Sequence, residues 1–381
     1  MPFVTTTASI RYHQMSLEEV LDAAPNAAPR APVGKPGDTR TVFYETLPSR
    51  LSNPYIASRC IAALDAFVKK WEHLYGIERH ALYRSFKIPK ASGGWRQIDA
   101  PQDDLMDALR ELKELFEEHF FASHHTAAFA YAKKRCALSA VQKHQANQSR
   151  WFLKTDCSDF FGSTTPAFVF KMLNQIWPFS EVLKLDAGKE LLHKALDLAF
   201  LNGGLPQGTP LSPTLTNIIM IPIDHYLYHA FRNFNGQTMV YTRYADDIDI
   251  SCRKSFMFMP VVQFLRDTFA KFEAPYQIKQ EKTHYGSANG RNWILGVMYN
   301  KDLKITIGAR KKQIWRSMMN EYLKRRTTSD AWDLHSIQEL QGLTNYYRKI
   351  EPDYFDFCLK RFGDKYHINV IRAIRDDIRG A

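Results

Sequence analysis

The sequence predicts an α+β fold that closes in a helical, strongly basic segment. Runs of alternating apolar and polar residues flank tight turns at 83–101 and 240–251, which reads as strand–turn–strand. Apolar residues recur at helical spacing over 57–75 and 103–121. Past Ala309, Lys and Arg clusters alternate with Trp315, Met318, Met319, Tyr322 and Leu323, again at helical spacing. At 381 residues the chain can hold two or three subdomains around more than one core.

Residues 1–40 are rich in Ala, Pro and Gly and read as a flexible leader with a short helix near Ser16–Ala23. From Ala57 to Tyr75, Ile61, Leu64, Phe67, Val68, Trp71 and Leu74 form the buried stripe of a packing helix. Ser92-Gly93-Gly94 then separates two alternating strands, and Lys87, Lys90 and Arg96 crowd the tip of that hairpin. It reads either as a solvated hairpin or as an arm whose cations fold over a triphosphate. The helix Asp103–Phe121 places Leu105, Leu109, Leu112, Leu115 and Phe116 on one face. The stretch Ala127–Arg135 mixes Phe129 and Tyr131 with Lys133, Lys134 and Arg135, which suits a nucleic-acid backbone with base stacking; a basic turn is the alternative.

The strand Trp151–Ser158 carries Asp156 near its end, and Asp159 is expected to cap the turn that follows. Helices are expected at Ala167–Ile176, Glu181–Ala199 and, buried, Leu215–Tyr228. Between them lies Leu205-Pro206-Gln207-Gly208, a shaped turn in which Gly208 admits close backbone approach and Gln207 can hydrogen-bond a base or sugar edge. The hairpin Val240–Ser251 holds Asp246 and Asp247 at its tip. Adjacent carboxylates repel unless a cation neutralises them, and Mg²⁺ favours one or two carboxylates plus phosphate oxygens. Taken alone the pair could equally be a solvated turn. With Asp156, three carboxylates from two strands could hold two metal ions about 4 Å apart. A strand over Leu303–Ile307 leads into the basic helices.

Composition narrows the partners. Fifty-one basic against 40 acidic residues give +11, which suits a polyanion because basic side chains displace counterions from phosphates; plain solubility is the alternative. Five scattered cysteines without CxxC spacing argue against a disulfide framework and a zinc site. No run reaches the length of a membrane span and no signal-peptide pattern opens the chain, so a soluble cytoplasmic protein without membrane contact is expected.

Taken in order, these segments resemble a reverse transcriptase. Tyr244-Ala245-Asp246-Asp247 is similar to the Tyr-x-Asp-Asp box, Asp156 with Phe160-Phe161 to the first catalytic motif, and Leu205–Gly208 to the dNTP-pocket motif. Lys90 to Arg96 resembles the triphosphate-clamping hairpin, Gln280–Thr283 the palm-lysine segment, and Trp293–Val297 the primer-grip hairpin. The resemblance spans about residues 80 to 300 and points to bacterial enzymes, both retron and defence-associated. Ile294-Leu295-Gly296 stands where retrons usually carry Val-Thr-Gly, which favours a non-retron defence group.

The resemblance implies a right-hand polymerase: an antiparallel sheet with helices forming fingers and palm over 41–300, and an α-helical basic thumb over 301–381. It implies two Mg²⁺ ions, with Mn²⁺ as an alternative, held by the catalytic Asp156, Asp246 and Asp247 and by the Cys157 carbonyl. Lys90, Arg96, Phe161, Gln207, Gly208 and Lys282 would contact the dNTP. Phe161 would exclude a 2′-hydroxyl, unless it is core, and Lys282 would protonate the leaving group, unless it is a plain exposed lysine. Lys133, Lys134, Arg135, Arg310, Lys311, Lys312, Arg325 and Arg326 would bind nucleic acid. The expected activity copies a structured partner RNA into cDNA in anti-phage defence. Retron-type priming from an RNA 2′-hydroxyl, template-independent or protein-primed synthesis, a silent RNA-binding scaffold and a homo-oligomer stay open as alternatives.

Overall fold

The computed structural model describes residues 54–89, 93–288, 293–300 and 302–380. The leader, its helix at Ser16–Ala23 and Lys90 lie outside them. The fold is α+β and divides into two compact units. The first takes residues up to Cys136, Leu153–Ile250 and Met257–His284; the second takes Ala137–Phe152, Ser251–Phe256 and the chain from Tyr285 onward.

In the first unit, helix α1 (Pro54–Lys70) starts with proline at its first position, where the missing N–H costs nothing. It buries Ala57, Cys60, Leu64, Phe67 and Val68 at helical spacing. A 3₁₀ turn, Glu72–Gly76, replaces the end of the expected helix and keeps Leu74 buried. Strands β1 (Tyr83–Pro89) and β2 (Trp95–Pro101) pair antiparallel with Pro89 opposite Trp95, so the hairpin turns between them, with Gly93 and Gly94 both at positive φ. Beyond Tyr83, β1 is exposed along its whole length, as an arm would be. Helix α2 (Asp103–His119) opens on Asp103 and Asp104, which favour the positive end of its dipole, and buries the predicted leucines and Phe116.

Helix α3 (Ala137–Ala146) precedes β3 (Trp151–Ser158), which is buried on both faces for most of its length. The strand order is β4 (Met239–Tyr244), β5 (Asp247–Cys252), β3, β6 (Gln277–Ile278), with β7 (His284–Ser287) also pairing β3. Helix α4 (Pro166–Leu173) follows β3, and its cap is Thr165, whose Oγ1 accepts from Phe168 N at 3.3 Å. Asp159, expected to cap the turn after β3, sits in that turn at φ 43°, its carbonyl accepting from Ser163 N at 2.8 Å and its carboxylate folded beside Gly162.

Two expected helices are each broken in two. Glu181–Ala199 is α5 (Phe179–Leu183) and α6 (Asp186–Asp197), with Leu185 extended between them. The reversal seats Gly188 against the Val182 carbonyl, where a Cβ would lie 2.4 Å from the oxygen. Leu215–Tyr228 is α7 (Ser212–Ile219) and α8 (Ile221–Phe231). Pro222 removes an N–H and crowds the carbonyl four residues back, which interrupts the ladder at Met220. Helix α9 (Phe258–Phe272) completes the layer and ends on Glu273 in the left-handed conformation.

In the second unit, β8 (Trp293–Ile294), β9 (Val297–Tyr299) and β10 (Ile305–Thr306) form a three-stranded sheet with β9 central. Leu295 and Gly296 both take positive φ, the geometry of a two-residue hairpin loop. The strand expected over Leu303–Ile307 shrinks to β10, because Leu303 takes φ 59°. Helices α10 (Ala309–Arg325), α11 (Leu334–Ile350), α12 (Pro352–Tyr366) and α13 (Val370–Gly380) follow. They pack around the fully buried Trp315, whose Nε1 donates to Thr344 Oγ1 at 2.9 Å and whose ring meets Phe355 edge-on. No described helix is long and apolar enough to cross a membrane.

Candidate active site

Side chains alternate across a strand, so Lys154 and Asp156 share one face of β3, and Asp247 and Asp249 share one face of β5. The turn between β4 and β5 consists of Ala245, at φ 58°, and Asp246. It is tied to β3 by a hydrogen bond from Cys157 N to Asp246 O at 3.0 Å. Asp156 and Asp246 are thereby brought together from strands that are far apart in the chain.

Asp156 is 6% exposed, Asp246 half-buried and Asp247 exposed. Burial, followed by the Asp156 charge and a side-chain hydrogen bond to it, holds the Asp246 carboxyl above the usual carboxylate range. Burial, then Asp246 and Asp156, push Asp247 up to about 6. Two carboxyls in contact, with a third raised by their charges, call for a counter-cation. Lysines supply part of it: Lys282 Nζ donates to Asp156 Oδ2 at 2.8 Å, and Lys279 Nζ lies 3.1 Å from Oδ1. The Lys279 contact is an ion pair without hydrogen-bond geometry, so Asp156 Oδ1 is buried with no hydrogen bond. That buried oxygen, on a carboxylate whose charge raises Asp246 and Asp247, fits a hard divalent cation. Among the described residues no three acidic, Cys or His side chains are already drawn into a cage; Asp156 and Asp246 are the pair in contact and Asp247 stands to one side. The Cys157 thiol is buried and pushed up, mainly by desolvation, which disfavours the thiolate; the ligand expected from this residue is its carbonyl.

The residues expected on the dNTP side make contacts among themselves. Gly208, at φ 122°, lies against β2: a Cβ there would come within 2.9 Å of Asp99 O and 3.0 Å of Ile98 Cγ2. Asp99 N donates to Gln207 O at 2.8 Å. The Pro206-Gln207-Gly208 turn therefore docks on the β1–β2 hairpin, and the register puts Arg96 on the same face as Ile98. Phe161 is half-buried, its ring 6.4 Å from that of Tyr131. The close approach of Gly204 to Gly162 O and a hydrogen bond from Leu205 N to Phe161 O hold the Phe161 turn against the Leu205 turn.

Beneath the hairpin lies a network that the motifs do not announce. Arg243 is 1% exposed and pairs with the fully buried Asp224 through Nε and Nη2, at 2.8–3.1 Å. Its Nη1 donates to Ala245 O and its Nη2 to Asn217 Oδ1, while Tyr241 Oη donates to Asp224. A lone acid inside the apolar run Ile218–Leu227 was the sequence signal for a buried partner. Asp249, 4% exposed, is pushed up to about 7 by burial and by Asp247, with Lys154 opposing. Its alternation with Asp247 was the signal there. Lys279, three residues before Lys282, carries no motif signal of its own beyond that spacing.

The cations expected to bind nucleic acid divide. Arg135 Nη1 donates to the carbonyls of His125, Thr126 and Ala128, so this side chain braces its own loop. Lys312 pairs with Glu351, Arg326 pairs bidentately with Asp377, and Lys311 Nζ donates to Gly296 O. Lys133 meets Glu117 and Arg325 meets Glu321 on the surface. Lys134 and Arg310 are exposed.

Residues 88–313, well over half the chain, match the model of the reverse transcriptase (RNA-dependent DNA polymerase) family. The chain belongs to that family. This reverse transcriptase is an RNA-directed DNA polymerase that copies an RNA template from dNTPs, and its family uses divalent metal ions. It is similar to the retron Ec83 reverse transcriptase of Escherichia coli, 27% identical over 74% of this chain and 87% of the relative. It is also similar to the retron Ec73 reverse transcriptase of the same species, 24% identical over 71% and 84%. Among solved structures it is similar to telomerase from Candida albicans at 12% identity and a TM-score of 0.42; the match takes in 78% of this chain and 61% of that one.

Proposed function

We propose that the enzyme copies a dedicated structured non-coding RNA into cDNA at the Asp156–Asp246 pair, within anti-phage defence. The observation that carries the site is the desolvated carboxyl pair, with Asp247 raised beside it and the Asp156 Oδ1 left without a hydrogen bond. Asp156, Asp246, Asp247 and the Cys157 carbonyl would hold two Mg²⁺ ions, or Mn²⁺. When bound, these supply a more nucleophilic primer 3′-hydroxyl and charge neutralisation at the leaving pyrophosphate.

The chain's own residues do the rest. Arg96 and Lys90 hold the triphosphate, and the Gln207-Gly208 turn locates the nucleotide against the hairpin. Phe161 would exclude a 2′-hydroxyl. Lys282 would carry the proton for the pyrophosphate: it is protonated at neutral pH, and its hydrogen bond to Asp156 raises its pKa further. Residues 41–300 act as fingers and palm and 301–381 as the thumb, whose cations grip the template–primer duplex. The scattered cysteines fit a reducing cytoplasm.

Retron-type priming from an RNA 2′-hydroxyl is the second reading, favoured by the retron reverse transcriptases among the relatives. Two experiments decide. Asp246→Ala should cut primer extension by at least about a thousandfold with the thermal melt intact; retained extension would refute the site. Sequencing the RNA and DNA that copurify should show one structured RNA with its cDNA. A branched 2′–5′ junction assigns the retron reading, and concatenated or homopolymeric cDNA the non-retron one.

A further inference from the structure

The loop that carries Tyr131 is built with unusual care for a surface turn. Its start pairs with β4, through Phe129 N to Arg243 O at 2.8 Å and Arg243 N to Ala127 O at 2.7 Å. Arg135 gathers three of its carbonyls. Asn217 Nδ2 donates to Ala130 O at 2.9 Å, and the same Asn217 accepts from Arg243, which also holds Ala245 O. One buried network therefore fixes both the turn bearing Asp246 and the residue before Tyr131.

Tyr131 itself takes φ 57°, a conformation that costs a non-glycine residue free energy and persists only where surroundings enforce it. The ring so displayed is 60% exposed. It faces Phe161 at 6.4 Å with the planes tilted by 59°. Burial raises its phenol's pKa, the charges of Asp246 and Tyr244 add to this and Arg96 opposes it, so the ring lies within electrostatic reach of the Asp246 carboxyl and of Arg96 on the hairpin. A nucleotide with its phosphates at Arg96 and its reacting phosphorus at Asp246 would lay its sugar and base against these two rings.

We propose that Tyr131 is an aromatic wall of the nucleotide pocket, lying beside Phe161 and setting with it the affinity and the sugar selectivity for the incoming dNTP. This rests on the polymerase site described above. An exposed ring offers a π-face that any base can contact, and two rings this close together present one apolar wall against which a sugar and base would pack.

The test is single-nucleotide incorporation by the full chain on a primed RNA template, with dNTP and rNTP titrated separately. Tyr131→Ala should raise the dNTP KM roughly tenfold, with a smaller fall in kcat, and lower the dNTP-to-rNTP preference. Tyr131→Phe should recover the greater part of the loss, because the ring is what acts. Tyr131→Ala with Phe161→Ala should lose less than the product of the single effects, since the two walls bound one space. Should the alanine variant melt early, Tyr131→Leu, which keeps bulk without a π-face, is expected to fall between alanine and phenylalanine. An unchanged KM and preference in Tyr131→Ala, multiplicative losses in the double variant, or a Phe variant as poor as the Ala variant would overturn the assignment while the polymerase reading stands. A wild-type chain that incorporates no dNTP would remove both.

Discussion

Asp249 shows how a single buried group reports on this site. It lies on the Asp247 face of β5, 4% exposed, and burial lifts its carboxyl to about 7. Between the unfolded value near 4 and about pH 7 the folded state binds the extra proton, so stability falls as pH rises through that window. Three units correspond to about 4 kcal/mol, fully felt above pH 7. Asp249→Asn removes the charge and keeps the shape. Its denaturant midpoint should match the wild type near pH 4 and exceed it at pH 8; parallel midpoints across that range would refute the argument. Asp247, more open to solvent and raised to about 6, contributes in the same direction to a lesser degree.

At the level of elements, the β4–β5 hairpin is only as well placed as the Arg243–Asp224 pair beneath it. Breaking a fully buried ion pair leaves an uncompensated charge, at a cost of about 3–5 kcal/mol. Arg243→Met should therefore lower the denaturant midpoint sharply, while Arg243→Met with Asp224→Leu, which removes both charges, should recover part of the loss. The docking of the Gln207-Gly208 turn on β2 makes a second prediction. Gly208→Ala adds a Cβ within 2.9 Å of Asp99 O at φ 122°, so either the turn or the hairpin must shift. The dNTP KM should rise by more than kcat falls, read in steady-state kinetics.

For the whole molecule, charge is unevenly shared. The segments of the second unit hold 22 basic and 11 acidic residues, and the rest of the chain holds 29 of each. The entire +11 therefore belongs to the unit that carries α10–α13. RNA binding should show a steep log–log salt dependence arising there. Replacing Arg310, Lys324 and Arg325 with alanine should reduce that slope by about two to three; the same number of changes at Lys69, Arg110 and Lys113 in the first unit should leave it unaltered.

Much of this was readable from residue order. The strand–turn–strand patterns, the helical stripe of α2, the Tyr-Ala-Asp-Asp turn and the basic C-terminal helices follow from local periodicity and turn chemistry, which neighbouring residues alone determine. The chain's membership of its family was also legible, because short boxes in a set order survive without any knowledge of contacts. What only the tertiary structure decided are the relations between distant residues. It paired Asp224 with Arg243, placed two lysines on Asp156, and closed Gly188 onto Val182, breaking a helix that periodicity ran together. It also turned Arg135, Lys312 and Arg326 inward to structural partners, although in sequence they look the same as the exposed Arg310. A side chain's partner depends on burial and on which strands and helices become neighbours, and no local pattern of residues encodes that.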